Sequence, residues 1–224
     1  MSEKIATIIG ATGMIGNYLL DEILTDDYFD TARVIVRKPY DKKHPKIEVK
    51  LVDFKDTESL KLALDGSNTV FSCIGTTQKN VKGNHELYRQ IDFDIPVKAA
   101  RFCKELGCEK FILVSAVGAN SHSNTFYLKL KGELENTIHN IGLRSVHIMQ
   151  PSMLLGERME KRAGESLLQG SMKTLSGIFV GSLRKFRAVH GKTVAKAMLN
   201  AAKKNETGFY RYTFDQIKDL SESA

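Results

Sequence analysis

The stretch Thr7-Ile8-Ile9-Gly10-Ala11-Thr12-Gly13-Met14-Ile15-Gly16 decides the fold of this chain. An apolar, β-branched run delivers three glycines to the start of an apolar helix. Gly10 can make the tight turn out of the strand, Gly13 lets the backbone approach a phosphate closely, and Gly16 lets the helix pack close to the sheet. Phosphates would then bind unpaired backbone amides at the positive end of the helix dipole. The pattern predicts a strand–turn–helix unit for a phosphate-bearing ligand.

The spacing of these glycines is typical of a Rossmann fold, whose ligand is a dinucleotide. It follows the G-x-x-G-x-x-G pattern of short-chain dehydrogenases/reductases, one residue longer at its start than G-x-G-x-x-G. The helix predicted over Met14–Leu24 supports this interpretation, because Ile15, Leu19 and Ile23 repeat every four residues along one face. A glycine-rich turn that binds no ligand remains the alternative.

Two cations follow the next apolar strand, in Arg33-Val34-Ile35-Val36-Arg37-Lys38-Pro39. An acidic residue about 20 positions after the last glycine binds the ribose 2′-hydroxyl of NAD, whereas arginine accommodates the 2′-phosphate of NADP. Arg37 lies at that offset, with Lys38 beside it, and both suit a phosphate. We therefore predict NADP(H) as the cofactor, against the alternative of a solvated basic strand end.

Strands and helices alternate along the rest of the chain, which is typical of a parallel sheet. We predict an α/β fold: a Rossmann-like doubly wound parallel sheet with helices on both faces and a small C-terminal substrate lobe. The 224 residues form one predicted domain, 1–224, in which 154–187 is the substrate-lobe insertion. A surface helical pair with no ligand is the alternative for that insertion.

Two further segments lie at strand ends, where doubly wound sheets bind ligands. Asp53 and Phe54 follow the third strand, and a carboxylate there commonly accepts from the adenine amino group. The loop Ile74-Gly75-Thr76 follows the fourth strand, predicted over Thr69–Cys73. A long helix is predicted over Asn84–Leu106, with a kink at Pro96.

Three residues carry the predicted chemistry. Ser115 ends the fifth strand, and Tyr127 and Lys131 share one face of the helix that follows. Hydride delivery to a carbonyl carbon leaves an alkoxide that needs a proton, and a phenol beside an ammonium can supply it. Lys131 would also hold the nicotinamide ribose, and Ser115 would orient the substrate oxygen. The alternative is a plain amphipathic helix with an incidental tyrosine.

Composition excludes several other classes of protein. The net charge is +7, but the basic residues are dispersed and no known nucleic-acid-binding signature is present, so we expect no specific nucleic-acid binding. No apolar run approaches the roughly 20 residues of a membrane span. Without a signal peptide before the first strand, we expect a cytoplasmic protein. The cysteines and histidines lack metal-ligand spacing, so we predict no metal.

Six stretches of the sequence resemble the atypical short-chain dehydrogenases/reductases: Gly-Ala-Thr-Gly-Met-Ile-Gly, Val-Arg-Lys-Pro, Cys-Ile-Gly-Thr-Thr, Val-Ser-Ala-Val-Gly-Ala, Phe-Tyr-Leu-Lys-Leu-Lys-Gly-Glu-Leu-Glu and Gln-Pro-Ser-Met-Leu-Leu-Gly-Glu-Arg. The third, together with Asn-Thr-Phe-Tyr-Leu-Lys-Leu-Lys-Gly-Glu-Leu-Glu, is specific to the Tat-interacting-protein oxidoreductase family and its bacterial relatives. The similarity extends from about residue 5 to residue 202.

The resemblance implies NADPH at the glycine turn and a catalytic triad of Ser115, Tyr127 and Lys131. In extended relatives an asparagine of the proton relay heads the helix before the fifth strand, and Asp92 occupies that place here. The resemblance also places the nicotinamide amide against the backbone after the sixth strand. The residues expected to contact the cofactor are Gly10, Thr12, Gly13, Met14, Ile15, Gly16, Arg37, Lys38, Asp53, Phe54, Ile74, Gly75, Thr76, Lys131, Pro151 and Met153.

The function predicted from these observations is an NADPH-dependent reductase acting on a carbonyl or enone of an unidentified small molecule. An excess of basic residues in 154–187 suggests that this substrate is anionic. Two other classes stay open: an NADP(H)-binding regulatory or interaction protein, and a nucleotide-sugar epimerase or dehydratase. Both a monomer and a homodimer are compatible with the sequence.

Overall fold

A seven-stranded parallel sheet lies at the centre of the computed structural model, which describes residues 3–156 and 181–223. A separate two-stranded parallel pair lies beside it. The sheet strands are β1 (Ile5–Ile9), β2 (Thr31–Val36), β3 (Ile47–Leu51), β4 (Thr69–Ser72), β5 (Lys110–Val114), β6 (Ser145–Met149) and β9 (Gly208–Tyr212), and the pair is β7 (Leu154–Leu155) with β8 (Val189–His190).

Helices follow most of the strands. They are α1 (Met14–Leu24), α2 (Thr57–Leu64), α3 (His85–Arg89), α4 (Ile95–Glu105), α5 (Phe126–Ile141), α6 (Gly191–Lys203) and α7 (Phe214–Glu222). A π-helical turn, Gln90–Asp94, joins α3 to α4, and a 3₁₀ helix spans Gly181–Phe186.

The helices bury apolar side chains on both faces of the sheet. Leu19 of α1 and Val194 of α6 are fully buried with Ile8 on one face. Leu60 of α2 and Leu134 of α5 are fully buried in a second core on the other face. This two-sided burial explains why the inner strands are mostly apolar, whereas the edge strands β3 and β9 carry charged residues. The doubly wound α/β fold predicted from the sequence is confirmed.

The strand order β3-β2-β1-β4-β5-β6-β9 reverses direction between β1 and β4. Ligands of such sheets bind outside the carboxyl ends of the strands at this switch point. The glycine turn after β1 and the loop after β4 therefore lie side by side. Indeed, the Cys73 amide donates to the Ile9 carbonyl at 2.8 Å and continues the β1–β4 pairing to the last residue before the turn.

The long helix predicted over Asn84–Leu106 forms as one helical stretch from His85 to Glu105, interrupted by the π-helical turn directly before Pro96. Asn84 caps α3, and α4 starts only at Ile95. Pro96 has no amide to donate to the carbonyl four residues back. The chain widens before it into the π-helical turn, where the Ile95 amide donates to the carbonyl of Gln90, five residues back. The interruption expected at Pro96 thus lies in the turn directly before it.

The second strand ends directly before the two cations predicted to follow it. It stops at Val36, so Arg37 and Lys38 lie in the exposed loop beyond the sheet. Most of the predicted substrate lobe, residues 157–180, lies outside the described residues. In the part of the chain that the structure describes, no helix is both long and apolar enough to cross a membrane. Within the same residues, no three His, Cys, Asp or Glu side chains are grouped as metal ligands.

Candidate active site

The turn after β1 depends on two of its glycines. Gly10 has a φ of +91°, and a Cβ there would lie 2.8 Å from the backbone of Cys73 and Ile74. A Cβ on Gly16 would lie 2.1 Å from the Gly10 carbonyl oxygen. Glycine at position 10 therefore lets the turn pass close to the loop after β4, and glycine at position 16 lets helix α1 pack against the turn.

The start of helix α1 leaves backbone amides available to an anion. Gly13 is the N-cap residue, no side chain caps the helix, and its first turn carries no acidic residue. A Cβ on Gly13 would lie 3.4 Å from its nearest neighbour, the Gly10 carbonyl oxygen, so its packing within the protein does not require glycine. A glycine at this position suits the close approach of a pyrophosphate, and the turn fits a dinucleotide.

Arg37 and Lys38 are both exposed directly after β2. Within residues 3–156 and 181–223, neither side chain forms an ion pair with a carboxylate. Asp53 is exposed after β3, where its carboxylate accepts from the Lys55 amide at 3.0 Å, and Phe54 is half-buried against the core. These residues lie at the carboxyl ends of adjacent strands, as the sequence predicts for a site that holds the adenosine end.

The loop after β4 is held by a buried carboxylate. Asp92, in the π-helical turn, is 1% exposed, and its Oδ2 accepts from the Thr76 amide at 2.7 Å. A Cβ on Gly75 would lie 3.5 Å from Asp92 Oδ1. The Tyr88 hydroxyl donates to the Thr76 carbonyl at 3.2 Å. Both backbone groups of Thr76 are therefore fixed by side chains from α3 and the π-helical turn.

Lys131 and Tyr127 meet at this loop. The Lys131 side chain is 5% exposed, and its Nζ lies 3.0 Å from Asp92 Oδ1. The same Nζ is 5.9 Å from the centroid of the Tyr127 ring. Tyr127 itself is 39% exposed, so a ligand can reach it. The structure thus brings together Thr76, Lys131 and Tyr127, all predicted from the sequence.

The pKa of Tyr127 lies above its ordinary value. Desolvation of the phenol is the main cause, Lys131 lowers the pKa, and Asp92 raises it. By itself, the neighbouring Lys131 ammonium favours the ionised phenol. In the folded protein, desolvation of the phenol and the negative charge of Asp92, which pairs with Lys131, together outweigh the effect of the ammonium.

Ser115 is buried next to a different set of groups. Its hydroxyl donates to Glu135 Oε1 at 2.5 Å, and its amide donates to the Met149 carbonyl at 2.7 Å. Glu135 is 2% exposed and also accepts from Gln150 Nε2, at 2.8 and 3.0 Å, and from Arg211 Nε at 2.7 Å. The predicted triad serine is therefore bonded to a buried carboxylate rather than to Tyr127.

The remaining predicted cofactor residues lie along the same edge of the sheet. The Ile15 side chain is buried in the core, so only its backbone is available to a cofactor. Met14 packs near Gly191, whose Cβ would lie 2.9 Å from the Met14 sulfur. After β6, the carbonyls of Pro151 and Met153 accept from Val117 and Val189, at 3.0 and 2.9 Å.

Sequence reasoning missed Glu135, Gln150 and Arg211. One signal for Glu135 was present, because Tyr127, Lys131 and Glu135 are spaced by four residues on one helix and share its face. No comparable signal indicated Arg211, which comes from β9 and reaches Glu135 only because that strand pairs with β6.

Comparisons with known proteins agree with this geometry. The sequence profile of a family described as NAD(P)H-binding matches residues 10–205. Protein HTATIP2 of Rattus norvegicus is 31% identical over 203 residues, which covers 89% of this chain and 81% of that protein. The mitochondrial protein FMP52 of Debaryomyces hansenii is 34% identical over 200 residues, with coverage of 88% and 87%.

Solved structures show the same fold at low identity. A UDP-N-acetylglucosamine 4-epimerase from Methanobrevibacter ruminantium aligns with a TM-score of 0.69 at 17% identity, covering 99% of this chain and 81% of that one. MoeE5 in complex with UDP-glucose and NAD aligns with a TM-score of 0.71 at 14% identity, covering 96% of this chain and 80% of that one. The profile and the two relatives show that the chain belongs to the NAD(P)H-binding Rossmann family of short-chain dehydrogenases/reductases, in the Tat-interacting-protein group that includes HTATIP2 and FMP52.

Proposed function

We propose that this protein is an NADPH-dependent oxidoreductase that reduces the carbonyl or enone group of a small molecule. The observation that carries the proposal is the buried Lys131 ammonium, 5.9 Å from the ring of the accessible Tyr127 and next to the loop after β4. A protein that only binds a dinucleotide needs the glycine turn. It has no use for a tyrosine beside a buried ammonium.

The chain offers separate groups to each part of the cofactor. The glycine turn would bind the pyrophosphate, and Arg37 and Lys38 would bind a 2′-phosphate that NAD lacks. Asp53 would accept from the adenine, and Lys131 would hold the nicotinamide ribose. NADPH, when bound, supplies the hydride that is added to the substrate carbon.

Tyr127 would then donate its hydroxyl proton to the substrate oxygen, and Lys131 would stabilise the tyrosinate that remains. Ser115 has a narrower role than the sequence suggested. Its only proton is donated to Glu135, so in this arrangement its oxygen can accept a hydrogen bond but cannot donate one. It could accept from the product alcohol, but it could not polarise the substrate carbonyl.

The position of Ser115 also favours the second candidate, a regulatory protein whose partner responds to bound NADP(H). Such a protein would keep the cofactor cradle without a free serine hydroxyl. The epimerase or dehydratase alternative has less support, since the likeness to the UDP-N-acetylglucosamine 4-epimerase is at 17% identity and concerns the fold alone. An anionic substrate and a cytoplasmic location stay predictions, and the FMP52 relatives carry a mitochondrial name.

The experiment that tests the proposal compares Tyr127→Phe with the wild type. NADPH oxidation is measured with a panel of aldehydes, ketones, enones and quinones. Loss of the proton donor should reduce turnover about 100-fold or more, while the dissociation constant of NADPH changes by no more than a few-fold.

Tyr210→Phe is the matched control and should retain full activity. Tyr210 lies on β9, and among the described residues its hydroxyl donates to the carbonyl of Thr207, just before that strand. Full activity of Tyr127→Phe would contradict the mechanism. A wild type that binds NADPH but oxidises it with none of the panel would favour the regulatory candidate.

A further inference from the structure

Asp92 is a buried carboxylate to which the proposed reaction assigns no step. Its two oxygens have different partners: Oδ1 lies 3.0 Å from the Lys131 ammonium, and Oδ2 accepts from the Thr76 amide at 2.7 Å. Both side chains of the ion pair are nearly inaccessible, at 2% for Asp92 and 5% for Lys131. Water screens such a pair poorly, so its charges act strongly on their neighbours.

The π-helical turn explains how the carboxylate reaches this place. A π turn contains one residue more than an α turn and often occurs at functional sites. Here it directs Asp92 inward between the β4 loop and α5, although neighbouring Gln90 is exposed. An asparagine has the same shape but no charge, so an aspartate at this position adds a negative charge beside Lys131.

The group most affected is the Tyr127 hydroxyl. The charges that face it are Lys131 from its own helix and Asp92 from the π-helical turn. Helix α3 contributes Tyr88, whose ring centroid lies 6.4 Å from that of Tyr127, and His85, which stacks on Phe126. Lys131 favours the tyrosinate and Asp92 opposes it, while desolvation, the largest of the three causes, decides the upward direction of the pKa shift.

We propose that Asp92 is a positioning residue that sets the resting state of the site: by pairing with Lys131 it keeps the Tyr127 hydroxyl protonated, ready to donate to a substrate undergoing reduction. This inference rests on the proposed function and adds a direction to it. Reduction transfers a hydride from NADPH to the substrate carbon and the Tyr127 proton to its oxygen, and the tyrosinate regains a proton from solvent. Oxidation of an alcohol would require the tyrosinate at the start, which this site disfavours.

The test measures the ionisation of Tyr127 without any substrate. In protein labelled with ¹³C at tyrosine Cζ, the resonance absent from Tyr127→Phe is followed as the pH is raised. Asp92→Asn should shift the Tyr127 midpoint towards acid by about one pH unit, because a negative charge is removed and the ammonium remains. Lys131→Met should shift it in the opposite direction.

Glu133→Gln is the matched control: it also removes a carboxylate from this region, but Glu133 pairs with Arg89 at the surface, and the midpoint should stay within about 0.2 pH units. An unchanged midpoint in folded Asp92→Asn overturns the inference, as does a shift towards alkali. If that variant does not fold, the titration of Lys131→Met is the test. An unchanged Tyr127 midpoint in that variant would show that the ion pair does not control the ionisation of the phenol, and would overturn the inference. The titrations need no substrate or turnover. Full activity of Tyr127→Phe would therefore contradict the proposed function without deciding the role of Asp92.

Discussion

The Ser115 hydroxyl donates a 2.5 Å hydrogen bond to the carboxylate of Glu135, two turns beyond Tyr127 on the same helix. Both residues are buried, and Gln150 and Arg211 complete the hydrogen bonding of the carboxylate. The cluster joins the ends of β5 and β6 to α5 and β9. Ser115 therefore has a structural role, in addition to any role in catalysis.

Ser115→Ala should separate these two roles. Loss of a hydrogen bond to a buried carboxylate should lower the free energy of unfolding by about 1.5–3 kcal/mol, whereas turnover should fall far less than in Tyr127→Phe. Urea unfolding and steady-state kinetics measure the two effects. Ser123→Ala, which removes a hydroxyl from the same loop but with a neutral partner, should have the smaller effect on stability. A loss of turnover equal to that of Tyr127→Phe would restore Ser115 to the triad.

The parts of the site that the sequence predicted depend on local spacing. The glycine turn lies within ten residues, and Tyr127 and Lys131 are one helical turn apart, so each motif can be recognised without knowledge of the fold. Arg37 could be predicted from its distance along the chain after the last glycine of the turn.

The parts that were missed depend on tertiary contacts. Arg211 reaches Glu135 across 76 residues, and only the pairing of β9 with β6 brings the two together. The π-helical turn was hidden because Pro96 predicts a break in the helix, while the wider turn that relieves its missing amide leaves no separate sequence pattern. The charge balance at Tyr127 could not be predicted either, because it depends on the burial of Asp92.

Cofactor preference should depend on the cations after β2. NADPH should bind at least tenfold more tightly than NADH, about 1.4 kcal/mol, because Arg37 and Lys38 have no carboxylate partner in the described residues and can pair with the 2′-phosphate. Arg37→Asp should reduce or reverse that preference in fluorescence titrations. Lys196→Asp makes the same charge change on α6 and should preserve it. Equal affinities of the wild type for both cofactors would contradict the assignment.

Two glycines of the turn should respond differently to alanine. A Cβ on Gly16 would lie 2.1 Å from the Gly10 carbonyl oxygen, so Gly16→Ala should lower the free energy of unfolding by about 3 kcal/mol or prevent folding. A Cβ on Gly13 would lie at 3.4 Å, an ordinary contact, and its φ of −80° suits alanine.

Gly13→Ala should therefore keep its stability within about 1 kcal/mol of the wild type. If Gly13 lies against the pyrophosphate, the same variant should still bind NADPH at least tenfold more weakly in calorimetric titrations. Unchanged affinity would show that the phosphates bind elsewhere on the turn.

Acid should destabilise the protein through His147, which is fully buried between Ser145 and Tyr212, with its Nδ1 2.8 Å from the tyrosine hydroxyl. Burial lowers the pKa of His147 to about 4 from an ordinary 6.5. The unfolded chain therefore takes up a proton first, so the stability is complete above pH 6.5 and is lost as the pH falls towards 4. This residue should account for about 2 kcal/mol of lost stability between pH 8 and pH 5. Urea unfolding at both pH values should show a smaller difference in His147→Gln than in the wild type, whereas the exposed His122→Gln should keep the wild-type difference. If His147→Gln retains it too, the acid sensitivity comes from other groups.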